Sequence, residues 1–228
     1  MYVQPTIRTD TRSGQYIPDI ARSGHLDALV ALERIGTRLR FARNQLIYAE
    51  GDGGGCWYKV VAGTVRIGKL LADGRRHIAE FCFVGDSFGL GDGAERMMSA
   101  EAVGDVVVLR YSRQATERLV DDNPTLARHL RDLALRSLAS AQRQMLLLGR
   151  MTACERVASF LLELAERCAA GDAIEVPMSR SDIADHLGLT IETVCRVLSD
   201  MKRRGLVVIH PHAIEVLDRD ALEAIADE

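Results

Sequence analysis

The chain has 228 residues, of which 47% are apolar: enough for one large or two modest domains with real cores, and too apolar for a disordered tail. Its formal net charge is −3, so no global basic field advertises nucleic acid, and any such role has to rest on local charge. No leader pattern opens the chain and no apolar run approaches the roughly 18 residues that span a bilayer, while the five cysteines are odd in number and lack a Cys-x-x-Cys. These features predict a cytoplasmic protein with reduced thiols, without a disulfide framework, structural zinc or membrane partner.

Residues 1–24 mix Thr, Ser, Arg, Gly and Pro without periodicity and read as a flexible N-terminal arm. A short helical pattern, His25 to Ile35, opens a domain expected over residues 25–121. From Thr37 to about Tyr111 the texture is short strands punctuated by glycine: Leu46 to Tyr48, Trp57 to Val61, Thr64 to Leu71, His77 to Phe83 and Val106 to Tyr111. Asp73-Gly74 is a hairpin turn, and Gly63 a bulge or corner. About eight such pieces predict a small antiparallel β-barrel or jelly roll.

Ser112 to Leu119 reads as helical, and Asp122-Asn123-Pro124 is a strong restart, with a polar cap ahead of Pro at the first helical position. The long helix that follows, expected over 122–151, carries Leu130, Ala134, Leu138, Ala141, Met145 and Leu148 as one apolar stripe. A stripe this long needs a partner. A parallel homodimer seam is preferred, with its own barrel competing for part of the length. Gly149 to Thr152 is a hinge, and residues 152–228 form the last domain. There Ala153 to Cys168 is a helix with Val157, Phe160, Leu161 and Leu164 inward, and Ile174 to Met178 a short strand.

Ser179 to Gly205 then reads as two helices joined by a tight turn. Ser179 caps the first, which holds Ile183, Ala184 and Leu187; Gly188 supplies the turn; Thr190 caps the second, which carries Val194, Leu198 and Met201. Small Ala184 and, four residues on, Gly188 allow a close crossing, the signature of a helix-turn-helix. Glu192, Thr193 and Arg196 project from the first turns of the second helix, where such motifs read bases. A carboxylate accepts from cytosine N4, and an Arg fork reaches guanine O6 and N7. Lys202, Arg203 and Arg204 follow where phosphates pass. Leu206 to Ile209 and Ala213 to Leu217, separated by His210-Pro211-His212, form a wing, and Arg219 to Ala226 is a terminal helix.

The overall class is therefore α+β: an antiparallel barrel, a long helix and a C-terminal winged helix-turn-helix. This order resembles the Crp/Fnr family of bacterial transcription regulators over almost the whole chain. Tyr58 to Arg66 is similar to the family's barrel strand pair, and Gly188 to Arg196 to its reading helix. The Glu192-x-x-x-Arg196 pair is similar to that of the Fnr and FixK branch, and Leu70 to Arg76, Arg156 to Glu163 and Met178 to Arg196 look closest to FixK-type members. The resemblance implies a cyclic-nucleotide-binding-like barrel and a dimer on a TTGAT-like inverted repeat in double-stranded DNA, activating low-oxygen respiration or nitrogen-fixation genes through RNA polymerase. Ile191 and Thr193 would make apolar and methyl contacts there, with Ser179 and Arg180 near phosphates.

The alternative is a receptor-regulator controlled by a cyclic nucleotide or other small molecule. Against it, Leu90 follows Gly85-Asp86-Ser87-Phe88-Gly89 where cyclic-AMP-binding members have Glu, and Met98 stands where they have Arg. Arg96 lies two residues away. Fnr-type members hold an iron–sulfur cluster on N-terminal cysteines plus one in the barrel. Here no Cys precedes Cys56 and Leu109 occupies the barrel position, so no cofactor is expected. FixK-type members likewise lack the cluster, and the resemblance implies control by synthesis and turnover. Cys195 stands beside Arg196 where close relatives have Ser; it is a candidate redox switch or simply a small residue against DNA. Cys56, Cys82, Cys154 and Cys168 read as small apolar residues. His210 and His212 lack a third ligand, and the barrel lacks the histidine cluster of a cupin enzyme, so neither metal nor catalytic residues are expected.

Overall fold

The glycine-punctuated half of the chain folds into eight strands in the computed structural model, which describes residues 30–91, 93–170, 173–211 and 213–226. The arm at 1–24 and the first part of the helical pattern at 25–35 fall outside the described residues; residues 30–35 are helical (α1). The strands are β1 (Thr37–Phe41), β2 (Leu46–Tyr48), β3 (Cys56–Ala62), β4 (Val65–Leu70), β5 (Arg76–Cys82), β6 (Ser87–Phe88), β7 (Ser99–Ala102) and β8 (Val106–Ser112). They pair antiparallel in two sheets, ordered β1-β8-β3-β6 and β2-β7-β4-β5.

Strand periodicity explains how the two sheets close on one core. Every second side chain turns inward, so Tyr58, Val60, Phe88, Val106 and Val108 from the first sheet meet Tyr48, Val65, Cys82, Ala100 and Ala102 from the second. The result is the expected jelly roll. Gly63, between β3 and β4, has φ +80°, and a Cβ there would stand 2.3 Å from the Asp105 carbonyl oxygen. Only glycine fits that corner.

Six further helices and a third sheet follow among the described residues. Ser112 caps α2 (Arg113–Asp121), and the Asn123 side chain accepts from the amides of Thr125 and Leu126 at the start of α3 (Pro124–Arg150). Next come α4 (Ala153–Cys168), β9 (Ala169–Ala170), β10 (Ala173–Glu175), α5 (Arg180–Leu187), α6 (Ile191–Arg203), β11 (Val207–Ile209), β12 (Ala213–Val216) and α7 (Arg219–Ala226). The wing strands pair β11-β12-β10-β9. The strand expected over Ile174 to Met178 stops at Glu175, because Pro177 has no amide to give to a ladder.

The apolar stripe of α3 divides rather than facing one way. Leu126 and Leu147 are buried in the chain's own core and Leu130 and Leu148 half-buried, whereas Leu135, Leu138, Met145 and Leu146 are 55 to 69% exposed. The helix thus packs on its own chain through Leu126 and Leu147 and presents an open apolar face from Leu135 to Leu146. A second core joins α4, α5, α6, α7 and the wing, and it runs without a break into the outer face of β5 through Ile78 and Phe81. Phe81 lies 6.3 Å from the Phe160 ring and meets the His186 ring edge-on at 5.1 Å.

Two glycine substitutions separate backbone strain from collision. Gly74→Ala, at φ +84° with open space around it, should cost roughly 1 kcal/mol in urea denaturation; Gly63→Ala, which adds the carbonyl clash, should cost about 3 kcal/mol.

Candidate nucleic-acid interface

Local chemistry shapes α5 and α6 before any packing does. The Ser179 hydroxyl accepts from the Asp182 amide at 3.1 Å, and the Asp182 carboxylate accepts from the Ser179 amide at 3.1 Å and hydroxyl at 2.8 Å, a reciprocal capping box. Gly188 closes α5 at φ +63°, and the Leu189 amide donates back to the Ala184 carbonyl at 3.0 Å. Thr190 caps α6 through the Thr193 amide at 3.3 Å. Ile183, Ala184 and Leu187 then bury against Val194, Leu198 and Met201, each no more than 3% exposed. The helix-turn-helix is built as its sequence pattern requires.

On the opposite face of α6, Glu192, Cys195 and Arg196 are exposed and Ile191 is 44% exposed. Among the described residues Glu192 and Arg196, one helical turn from each other, form no ion pair with one another. Hydrogen bonds from its own amide and from the Thr190 hydroxyl hold the Glu192 carboxyl below its ordinary range. It is therefore an acceptor only, beside an Arg that is a donor only. Thr193 is half-buried with its hydroxyl 3.1 Å from that of Thr190. Lys202, Arg203 and Arg204 are exposed at the far end of α6.

The other two expected contacts are more tied down. The Ser179 hydroxyl is engaged in the cap. Arg180 is half-buried, and burial lowers its pKa while the neighbouring Cys195 raises it. Among the described residues its Nη1 has no hydrogen-bond partner.

Residues far away in sequence fix this unit to the rest of the chain. Arg66 on β4 reaches Asp182 Oδ1 at 3.2 Å; Arg76 on β5 reaches the same oxygen at 2.5 Å and Asp185 at 2.7 Å. His186 Nδ1 donates to the Ile78 carbonyl at 3.0 Å. At the other end of α5, Arg156 donates to the carbonyls of Leu187 (2.9 Å), Met151 (2.9 Å) and Leu148 (3.1 Å), and Gln144 donates to that of His186 (2.7 Å). None of these partners was singled out as a contact from sequence, because each lies on a different element from the residue it holds. Burial raises the Asp182 pKa, but the Ser179 hydrogen bonds and the two arginines outweigh it and hold the carboxyl below its ordinary value.

Beside this junction Glu80 sits among Asp86, Arg167 and Glu163. Burial and the charge of Asp86 push its carboxyl to about 7, against the opposing pull of Arg167. Within the jelly roll, Arg96 is 3% exposed, donates to the carbonyls of Gly89 and Cys56, and lies 4.1 Å over the Tyr48 ring. Arg113 donates to the same Gly89 carbonyl at 2.7 Å and to that of Leu90 at 2.9 Å. Leu109 packs against the cluster of Trp57 and Tyr111. Cys82 is buried, Cys56 and Cys154 are half-buried, and the Cys168 side chain and His212 lie outside the described residues. Among the described residues no three His, Cys, Asp or Glu side chains group as metal ligands, and no helix is long and apolar enough to cross a membrane.

Comparison with known proteins places both halves. Residues 38–123 match the cyclic nucleotide-binding domain and residues 155–225 the Crp-like helix-turn-helix domain. The nitrogen fixation regulation protein FixK of Bradyrhizobium diazoefficiens is 40% identical, over 88% of this chain and 87% of its own. The transcriptional activatory protein AadR of Rhodopseudomonas palustris is 38% identical, over 85% and 83%. The structure of FixK2 from Bradyrhizobium japonicum superposes with a TM-score of 0.81 at 40% identity, covering 84% of this chain and 97% of that one.

The Glu80 carboxyl gives a pH test. Its folded pKa of about 7 lies above the ordinary 4.5, so its contribution is fully present below 4.5 and is lost as pH rises through 7. His186, lowered chiefly by burial, runs the other way, contributing above its ordinary 6.5 and losing that as pH falls. Urea denaturation at about pH 5 and about pH 8 should therefore show Glu80→Gln gaining stability over wild type more at the higher pH; an equal difference at both would contradict the assignment.

Proposed function

Because this chain belongs to the Crp/Fnr family of DNA-binding transcription regulators, on its FixK branch, we propose that it reads a TTGAT-like inverted repeat as a homodimer. In this reading it works in the cytoplasm as an activator of low-oxygen respiration or nitrogen-fixation genes and contacts RNA polymerase. The role is binding without catalysis. The observation that carries it is the outward face of α6, where an exposed carboxylate and an exposed guanidinium stand one turn apart on the same helix. Glu192 accepts from cytosine N4 and Arg196 donates to guanine O6 and N7, which suits the single G·C pair of each half-site. Ile191 and Thr193 lie against thymine methyls, Ser179 and Arg180 lie near the phosphates, and Lys202, Arg203 and Arg204 supply local positive charge on a chain whose net charge is −3.

The exposed middle of α3 supports the dimer. Leu135, Leu138, Met145 and Leu146 recur at helical spacing and stay more than half exposed, and a second α3 covers them in a parallel pair. A dimer also suits a weak overall field, since two α6 helices double the phosphate and base contacts. Control by a cyclic nucleotide is disfavoured: Arg96, the arginine nearest the expected phosphate position, is engaged with carbonyls and an aromatic ring inside the core. Regulation by synthesis and turnover fits that arrangement. Cys195, exposed between Glu192 and the Arg180 side of the interface, offers oxidation as an added control.

Gel-shift titration of half-site variants should show Arg196→Ala losing about 1 to 3 kcal/mol, with discrimination relaxed at one G·C pair; a uniform loss on every sequence would make Arg196 a phosphate contact instead. Under peroxide, wild type should lose DNA binding and Cys195→Ser should keep it, whereas equal loss in both would remove the redox role.

A further inference from the structure

We propose that Arg66 and Arg76 are positioning residues for operator recognition, because the jelly roll uses them to grip the N-terminus of α5 and thereby aim the reading helix α6. The inference rests on the dimeric operator reading above.

The covalent path between the two halves does not fix their angle. Between α3 and α4 only Met151 and Thr152 are outside a helix, and the Arg156 and Gln144 hydrogen bonds there join α5 to the end of α3 rather than to the jelly roll. Apolar contact across the junction, from Ile78 and Phe81 to Phe160, supplies adhesion, but apolar contact is non-directional. Direction comes from charge-assisted hydrogen bonds, whose geometry is narrow. Asp182 provides the anchor. It is 3% exposed, its Oδ2 is committed to the Ser179 cap, and its Oδ1 receives both Arg66 and Arg76. A buried carboxylate cannot give up those partners cheaply, so the junction is held in one register.

The gripping side is itself rigid. Arg66 and Arg76 lie on adjacent hydrogen-bonded strands, β4 and β5. Arg66 is held a second time by Glu101 on β7, at 2.6 and 2.9 Å, and by Asn44 at 3.2 Å. Arg76 spans Asp182 and Asp185, one turn apart on α5. α5 and α6 share a core through the Gly188 turn, so an angle imposed on α5 is passed to α6. In a dimer, the two angles set the separation of the reading helices and hence the half-site spacing that is accepted.

The test uses the full-length protein and duplexes carrying the inverted repeat with its preferred spacer, or with one base pair more or fewer. Arg66→Gln/Arg76→Gln, and the milder Arg76→Gln alone, should stay folded and dimeric. They should bind about tenfold more weakly at the preferred spacing and much less so at the others, flattening the preference. Arg76→Lys, which keeps a cation within reach of both aspartates, should retain it. The proposal is overturned if the Gln variants keep the wild-type spacing preference, if they lose the same factor at every spacing, or if Lys does no better than Gln. A wild type that fails to distinguish the repeat from scrambled duplex defeats the operator reading itself, and this inference with it.

Discussion

The structure depends on a helix of eight residues, α5, being held at both ends. Its N-terminus presents the buried Asp182 carboxylate to Arg66 and Arg76, and its C-terminal carbonyls receive Arg156 and Gln144. The charges suit the helix dipole, since the Asp182 anion lies in the first turn and the Arg156 cation meets a carbonyl of the last. With α5 fixed, the left-handed Gly188 turn and the core shared by Ile183, Leu187, Val194 and Met201 leave α6 a single place to be. Recognition chemistry then needs only the right side chains on the free face.

That economy accounts for a charge pattern that is otherwise poor for nucleic acid. A chain of net charge −3 gains little from long-range attraction, so in the proposed reading selectivity comes from short-range complementarity at base edges and from two copies acting together. The carboxylate and guanidinium of α6 are well suited to this. A wrong base leaves a donor or acceptor unpaired, a penalty that weak overall attraction does not offset. The jelly roll, meanwhile, keeps Arg96 and Arg113 on the Gly89 carbonyl and holds α5 through Arg66 and Arg76.

What the sequence disclosed was whatever depends on neighbours a few residues away. Gly63, Asn123-Pro124, the Ser179 cap, Gly188 and Thr190 each announce a backbone event that local sterics or a local hydrogen bond enforces, and each is found in place. The fold class and the face of α6 followed from these and from periodicity. Contacts that join distant elements were not legible. Arg66 and Asp182 are 116 residues apart, and nothing in either neighbourhood specifies the other. Periodicity also marked an apolar stripe on α3 without saying that Leu126 and Leu147 turn to their own chain while Leu138 and Met145 turn outward. Short pieces such as β6, two residues held by pairing to β3, carry too little pattern to be seen alone.

Selection of binding sites from random duplex by the purified protein examines the whole account at once. Enriched sequences should converge on TTGAT-like half-sites in inverted repeat at one fixed spacing. Enrichment of an unrelated or asymmetric motif, or none at moderate salt, would contradict it.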